Sequence, residues 1–219
     1  MKKIFSLSIT ALMIIGLVIG GTWAYFSDAE TSTDNIFTAG ILDLKLKDGL
    51  GDFVDGGVTG SFGGDDLAPG DIKDGTVTLK NAGNVDGASV DIKFEVDYTN
   101  EDDYDYLGID KTDIDAATWL EITKLTYGAV DLLDKDSGAF VNLDIKAADV
   151  AGNNDGKITM DELNGVIIKG LAGIDKGDEK DFYIEVSIPT ATGNGIQGDV
   201  VDVTVTFGLF QNSGQHLDD

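Results

Sequence analysis

The chain has 219 residues, of which 40 are acidic and 15 are basic, so its formal net charge is −25 at pH 7. Carboxylates at this density repel phosphate backbones, and we therefore predict no nucleic-acid partner. The chain has no cysteine, and its one histidine is His216 in the polar C-terminal tail. Disulfide-built folds, Ser-His-Asp or Cys-His sites and His-Glu-x-x-His zinc sites consequently lack their residues. We expect no enzyme.

The first 24 residues have the layout of a secretory signal peptide. A basic start is followed by an apolar run over residues 4–21, and the small residue Ala24 lies at the expected cleavage point. We predict cleavage between Ala24 and Tyr25 by signal peptidase, with membrane contact only before cleavage. Two alternatives stay open. One is an uncleaved anchor, because about 20 apolar residues span a bilayer, and the other is a pilin-type leader cut after Lys3.

Segments of period two, separated by glycine-rich turns, predict the fold class. Apolar residues alternate with polar ones such as Asp91, so that one face packs and the other meets water, as in antiparallel sheets. Two such sheets face to face form a β-sandwich, and we predict an all-β domain over residues 37–219. The alternating apolar positions are Val77, Leu79, Val90, Ile92, Phe94, Val96, Tyr98, Phe182, Ile184, Val186, Ile188, Val201, Val203, Val205, Phe207 and Leu209.

Four regions depart from this alternation. Residues 113–121, around Trp119, predict a short helix that leads into a strand. Residues 142–171 predict a mixed helical and loop insertion. Residues 49–66 are rich in Gly and Asp, which indicates a mobile loop. The tail after Gln211 has no periodicity, and we expect it to fray.

Residues 149–163 resemble the calcium-binding loop of an EF-hand or dockerin repeat. With Gly156 at the sixth position, where the loop turns sharply, oxygen ligands follow the expected spacing. Ala151 occupies the first ligand position, so Asp149 would have to reach in. The alternative is a tight turn followed by a capping box that opens a short helix. The predicted ligands for a weakly bound structural Ca²⁺ are Asp149, Asn153, Asp155, Lys157 through its carbonyl, Thr159 and Glu162.

Three stretches resemble the TasA/camelysin family, which includes the archaeal bundling pilins. The first runs from Gly-Thr-Trp-Ala at residues 21–24 through Tyr-Phe-Ser-Asp at 25–28 to Leu-Asp-Leu at 42–44. The second is Leu-Ala-Pro-Gly-Asp at 67–71, followed by a strand and by Asn-Ala-Gly-Asn at 81–84. A weaker third match is the closing strand that leads to Gln211. The resemblance covers both ends and the first third of the chain.

The resemblance implies a jelly-roll sandwich that is secreted and assembles head to tail into an extracellular fibre at the cell surface or in a biofilm matrix. The free N-terminus of one subunit would lie as a strand in the sheet of the next. Residues 25–36 suit this role because they are polar after two aromatic residues and lack glycine and proline. The alternative is a disordered leader or the molecule's own first strand. The predicted donor strand comprises Tyr25, Phe26, Ser27, Asp28, Ala29, Glu30, Thr31, Ser32, Thr33 and Asp34.

Two other functions stay open. The first is a monomeric calcium-binding surface module or adhesin, which would tolerate loss of residues 25–34. The second is a secreted hydrolase built on a carboxylate pair, which would lose turnover when one pair is mutated. Some members of the resembled family are described as metalloproteases. That activity is not carried over to this chain, because the sequence lacks the zinc ligands.

Overall fold

A computed structural model describes residues 40–58, 68–99, 116–133, 142–192 and 200–218. The predicted signal peptide, the cleavage point after Ala24 and the donor segment 25–36 lie outside the described residues. In chain order, the elements are β1 Leu44–Asp48, β2 Ile72–Asn81, β3 Ser89–Thr99, α1 Ala116–Trp119, β4 Glu121–Tyr127, β5 Val130–Asp131, α2 Leu143–Ala151, α3 Met160–Leu163, β6 Ile167–Ala172, β7 Glu179–Ser187, a 3-10 turn Thr190–Thr192 and β8 Val200–Phe210.

The strands form two antiparallel sheets, one of five strands in the order β1-β2-β7-β4-β5 and one of three strands in the order β6-β3-β8. In the larger sheet, β2 pairs with β7 from Ile72 opposite Ser187 to Lys80 opposite Glu179. In the smaller sheet, β3 pairs with β8 along the whole length of both strands. The predicted all-β antiparallel sandwich is therefore confirmed.

The core lies between the two sheets and follows the predicted alternation. The ring of Phe182 on β7 lies 6.2 Å from that of Phe94 on β3 and 5.3 Å from that of Phe207 on β8, centroid to centroid. Such tilted and edge-to-face arrangements are the favoured geometry of aromatic pairs. Phe182 and Phe94 belong to the central strands β7 and β3, and Phe207 belongs to the edge strand β8, so the three rings join the two sheets across the core.

Two expectations about the three-stranded sheet are wrong. Asp91, which the alternation placed on the solvent face, is fully buried. The tail after Gln211 does not fray, because the backbone N–H of Leu217 donates to the carboxylate of Asp91 at 3.1 Å. Both errors have one cause. The C-terminal segment folds back over the outer face of this sheet, a contact between residues 126 positions apart that a local pattern does not encode.

The regions that departed from the alternation have defined structure where they are described. The short helix at Trp119 is α1, and it leads into β4 as predicted. Residues 142–171 contain α2, α3 and most of β6, so the end of that range belongs to the three-stranded sheet. In the predicted mobile loop, Val54 pairs with Leu46 of β1 through N–H···O bonds of 2.9 and 3.1 Å. Within the described ranges, no helix combines the length and apolar character needed to cross a membrane.

Candidate functional site

The helix α2 docks against the edge of β6. Its first turn is capped by Asn142, whose side chain accepts the backbone N–H groups of Asp144 and Ile145 at 2.9 and 3.2 Å. Capping of this kind satisfies donors that have no partner within the helix. The carboxylate of Asp144 in turn accepts the backbone N–H of Lys169 on β6 at 3.0 Å. Because Ile145 is fully buried, α2 contributes to the core while it covers this edge.

The segment between α2 and α3 covers the edge of β4 in the other sheet. Ile158 is fully buried, and its carbonyl accepts the backbone N–H of Ile122 on β4 at 2.8 Å. The ammonium group of Lys157 donates to the carboxylate of Glu121 on β4 at 2.9 Å, and this hydrogen bond raises the pKa of Lys157. The insertion is thus attached to β4 by backbone and side-chain contacts.

After α3 the chain returns to the three-stranded sheet. Phe94 of β3 exchanges backbone hydrogen bonds with this segment, accepting from Gly165 at 2.9 Å and donating to Val166 at 3.0 Å. The backbone N–H of Val96 donates to the side chain of Asn164 at 3.0 Å. Residues 142–166 therefore contact β4 in one sheet and β3 and β6 in the other. We call this side of the sandwich the closed seam.

The opposite side of the sandwich, which we call the open seam, is bounded by β8, and in the described residues the short helix α1 contacts this strand. Over its 11 residues, β8 pairs only with β3 among the strands that the structure describes. Its core-facing side chains are half-buried, whereas those of Ile92 and Phe94 on the neighbouring β3 are fully buried. The half-buried residues of β8 are Val201, Val203, Val205, Phe207 and Leu209.

The chain segment just before β1 is held by the Asn-Ala-Gly-Asn motif. Asn84 exchanges two backbone-directed hydrogen bonds with Ile41, its side chain accepting at 2.7 Å and its N–H donating at 2.9 Å. A Cβ atom at Gly83 would come within 2.2 Å of the carbonyl oxygen of Ile41, so the close approach requires glycine. The buried side chain of Asn81 donates to the carbonyls of Val85 and Ile174 and fixes the turn. The motif therefore fixes the chain at Ile41, just before β1.

The predicted calcium ligands lie on the loop between α2 and α3 and on α3 itself. Asp149 is buried, and its Oδ1 accepts the backbone N–H of Gly156 across the loop at 3.1 Å. Gly156 has a φ of +80°, which favours glycine at this turn. Asn153 and Asp155 each accept the N–H two residues further on, at 2.9 Å. The backbone of Lys157 donates the second of these bonds and its carbonyl stays the predicted ligand.

The sixth predicted ligand, Glu162, is engaged in a capping box. Its Oε2 accepts the backbone N–H and the hydroxyl of Thr159 at 2.9 and 3.0 Å, and its Oε1 accepts the N–H of Asn153 at 3.2 Å. In the part of the chain that the structure describes, no group of three or more His, Cys, Asp or Glu side chains is placed to hold a metal ion. The geometry is that of a turn and a cap, and calcium binding stays a prediction.

The sequence identified the residues of β8 as a strand but gave no sign that β8 lies at an edge. Alternation reports which side chains share a face, whereas strand order depends on contacts between distant segments. The role of the insertion was missed for the same reason. Its one readable signal was Ile158, an apolar residue inside a polar loop, which pointed to burial but not to its partner on β4.

Comparison with known proteins gives one family. The model of the camelysin metallo-endopeptidase family matches residues 1–216. No curated protein matches the chain. The family match agrees with the resemblance carried by the N-terminal and Asn-Ala-Gly-Asn motifs, and it points to a secreted or cell-surface protein.

Proposed function

Because the chain belongs to the camelysin metallo-endopeptidase family, we propose that it is the structural subunit of an extracellular filament assembled by donor-strand complementation. The filament is a biofilm-matrix fibre or a bundling pilus. Each subunit supplies residues 25–34 to its neighbour and receives the same segment from another copy. A contact of this head-to-tail kind does not close on itself, so it propagates into a fibre.

The observation that carries the proposal is the open seam. The 11-residue strand β8 has one side along which no described strand pairs with it, and it carries a row of half-buried apolar side chains. Unpaired edges of this length are sites of strand addition. The predicted donor, residues 25–34, spans roughly 33 Å when extended, at about 3.3 Å per residue, and so matches the length of β8.

The donor sequence has the two faces that such an edge requires. In an extended strand, successive side chains point to opposite sides. One side would carry Phe26 and Ser32 together with all the acidic residues of the segment, Asp28, Glu30 and Asp34. The uncharged side would cover the apolar residues of β8, and it consists of Tyr25, Ser27, Ala29, Thr31 and Thr33.

The first experiment is electron microscopy of the mature secreted protein, with mass spectrometry of its N-terminus. Chains that begin at Tyr25 should form filaments. Val203→Lys places a charge among the apolar residues of the open seam and should abolish polymerisation, because the incoming strand would cover that charge. The matched control is Thr204→Lys, which changes the exposed neighbour on the same strand and should polymerise normally.

A mixing experiment distinguishes a subunit that donates its N-terminal strand from a subunit that accepts one. Deletion of residues 25–34 should leave a folded subunit that accepts but does not donate, whereas Val203→Lys should donate but not accept. Each alone should stay monomeric, and the two together should form a discrete heterodimer in size-exclusion chromatography. Filaments from either variant alone would refute donor-strand assembly through the open seam.

A second candidate function is a monomeric calcium-binding surface module or adhesin. The supporting observation is the hydrogen bond from Gly156 to the buried carboxylate of Asp149, which draws that carboxylate into the loop despite Ala151 at the first ligand position. Glu162 would have to exchange its capping contacts for the cation. Monodisperse particles at every pH, salt and calcium concentration would favour this candidate over the filament.

Peptidase activity, which the family description names, is not part of the proposal. A catalytic zinc site usually takes ligands from histidine, cysteine and acidic side chains. The full sequence has one histidine and no cysteine. That histidine, His216, lies against the carboxylate of Asp91 on the outer face of the three-stranded sheet. A casein-cleavage assay with and without added zinc tests this directly, and zinc-dependent turnover would contradict the proposal.

A further inference from the structure

The pairing of β3 with β6 contains a bulge directly opposite Asp91. Val90 pairs with Leu171 and Ile92 pairs with Ile168, so two residues of β6 face one residue of β3. One of the two is Gly170, whose φ of +68° is a conformation that favours glycine. Its N–H is thereby turned out of the ladder and donates to Oδ1 of Asp91 at 2.9 Å.

The C-terminal segment supplies the other contacts of this carboxylate. Oδ2 of Asp91 accepts the backbone N–H of Leu217 at 3.1 Å and lies 3.0 Å from Nδ1 of His216. The next residue, Asp218, forms an ion pair with Lys169 on β6 at 2.5 Å. Asp91 is therefore a fully buried charge whose contacts come from β6 and from the end of the chain.

The same segment also packs on β8. Gly208 of β8 lies directly opposite Asp91 in the sheet. A Cβ atom at Gly208 would come within 2.8 Å of the side chain of Leu217 and 2.9 Å of the ring of Phe210. The glycine thus leaves the space that these two side chains fill. We call residues 211–218 the strap, since they contact β6, β3 and β8 on the outer face of the sheet.

We propose that the strap is a brace that holds β8 in place as a strand-accepting edge, with Asp91 as its anchor. The acceptor role of β8 rests on the proposed function, whereas the bracing of β8 does not. An edge strand such as β8, with one neighbour among the described strands and half-buried apolar side chains, belongs to the regions that open locally at low cost. Loss of the strap would leave the buried carboxylate with Gly170 as its remaining described donor, which is unfavourable for a charge. The strap is consequently kept closed, and β8 is held from its outer face.

Amide hydrogen exchange on the mature chain tests the brace, with the non-polymerising Val203→Lys background used to keep the protein monomeric. His216→Ala removes one contact of Asp91, and deletion of residues 212–219 removes all of the strap except Gln211. Exchange of the β8 amides bonded to β3 should become faster, roughly tenfold for the single substitution and more for the deletion. Exchange in β2 and β7 should stay unchanged, which shows that the sandwich is still folded.

Two matched controls change neighbouring groups that do not anchor the strap. Gln215→Ala alters the exposed residue beside His216, and Glu95→Gln alters an exposed carboxylate on the same strand as Asp91. Neither should change exchange in β8. If the His216 and deletion variants also leave β8 exchange unchanged, the brace is refuted.

The polymerisation assay separates the brace from the proposed function. In the otherwise unchanged mature chain, His216→Ala should slow filament elongation, because fewer subunits present an ordered β8 at any moment. If the unmodified chain forms no filaments but β8 exchange depends on the strap, the filament proposal fails and the brace stands. If filaments form and strap variants elongate and exchange like the unmodified chain, only the brace fails.

Discussion

The two seams are opposite sides of the same pair of sheets, and they differ in how completely their apolar side chains are covered. At the closed seam, residues 142–166 bridge the sheets, and Ile145, Ile158 and Leu163 are fully buried. At the open seam, the apolar side chains of β8 are half-buried and its outer edge has no described partner. The open seam is not poor in apolar residues. Its burial is incomplete in the described part of the chain, and the proposed donor strand of another copy would complete it.

The largest expected effect comes from a matched pair of leucines, one on each seam. Leu163→Ala at the closed seam should lower the free energy of unfolding by about 3 kcal/mol, since a fully buried side chain leaves a cavity. Leu209→Ala at the open seam should lower the free energy of unfolding of the monomer by about half as much, because Leu209 is only half-buried. Urea titration of monomeric protein measures both values.

The order of the two effects should reverse in the filament. A donated strand would complete the burial of Leu209, whereas Leu163 is already buried in each subunit. Leu209→Ala should therefore weaken filaments against dilution or denaturant more than Leu163→Ala does. The open seam is not an assembly surface if Leu209→Ala lowers the free energy of unfolding of the monomer as much as Leu163→Ala does and leaves the stability of the filament unchanged.

An intermediate effect is expected from calcium at the closed seam. A site in the affinity range of extracellular modules, about 0.1–1 mM, would stabilise the fold by roughly 1.5–3 kcal/mol in 10 mM calcium. Asp155→Asn keeps an acceptor for the N–H of Lys157 but removes a ligand charge. In chelator, the variant should have the same melting temperature as the unmodified protein. In calcium, its melting temperature should be the lower of the two.

The control for the calcium prediction is Asp161→Asn, which removes an exposed charge outside the predicted ligand set. It should leave the calcium-induced rise in melting temperature unchanged. If the unmodified protein melts at the same temperature in calcium and in chelator, the loop is a turn and a capping box only, as its present contacts with Glu162 describe.

The seams also show which features a sequence reveals. The capping box of Thr159 and Glu162 was recognisable because its contacts lie within one turn of helix. The strands β3 and β8 were recognisable because alternation is also a pattern between residues that are close in sequence. The burial of Asp91 was not, since it depends on a bulge in β6 and on His216 at the other end of the chain. Edges and straps are properties of topology, and a period-two pattern is the same at an edge and in the middle of a sheet.

The smallest expected effect tests a single bond that crosses between the sheets. The hydroxyl of Tyr127 on β4 donates to the carbonyl of Ala172 on β6 at 3.0 Å. Tyr127→Phe should lower the free energy of unfolding by about 1 kcal/mol at neutral pH, the usual net value of one such bond. Tyr183→Phe is the control, since Tyr183 lies on the outer face of the five-stranded sheet, where its hydroxyl contacts the carboxylates of Glu185 and Asp74 and no group of the other sheet in the described residues.

The same substitution should change the response to alkali. Burial raises the pKa of Tyr127 above its ordinary value near 10. The unfolded chain therefore releases this proton at a pH where the folded protein still holds it, so the stabilisation is complete below about pH 10 and is lost as the pH rises. Between about pH 10 and 11, the free energy of unfolding measured in urea titrations should therefore fall less steeply for Tyr127→Phe than for the unmodified protein. Parallel curves would mean that Tyr127 ionises equally in both states and that this end of the seam is open to water.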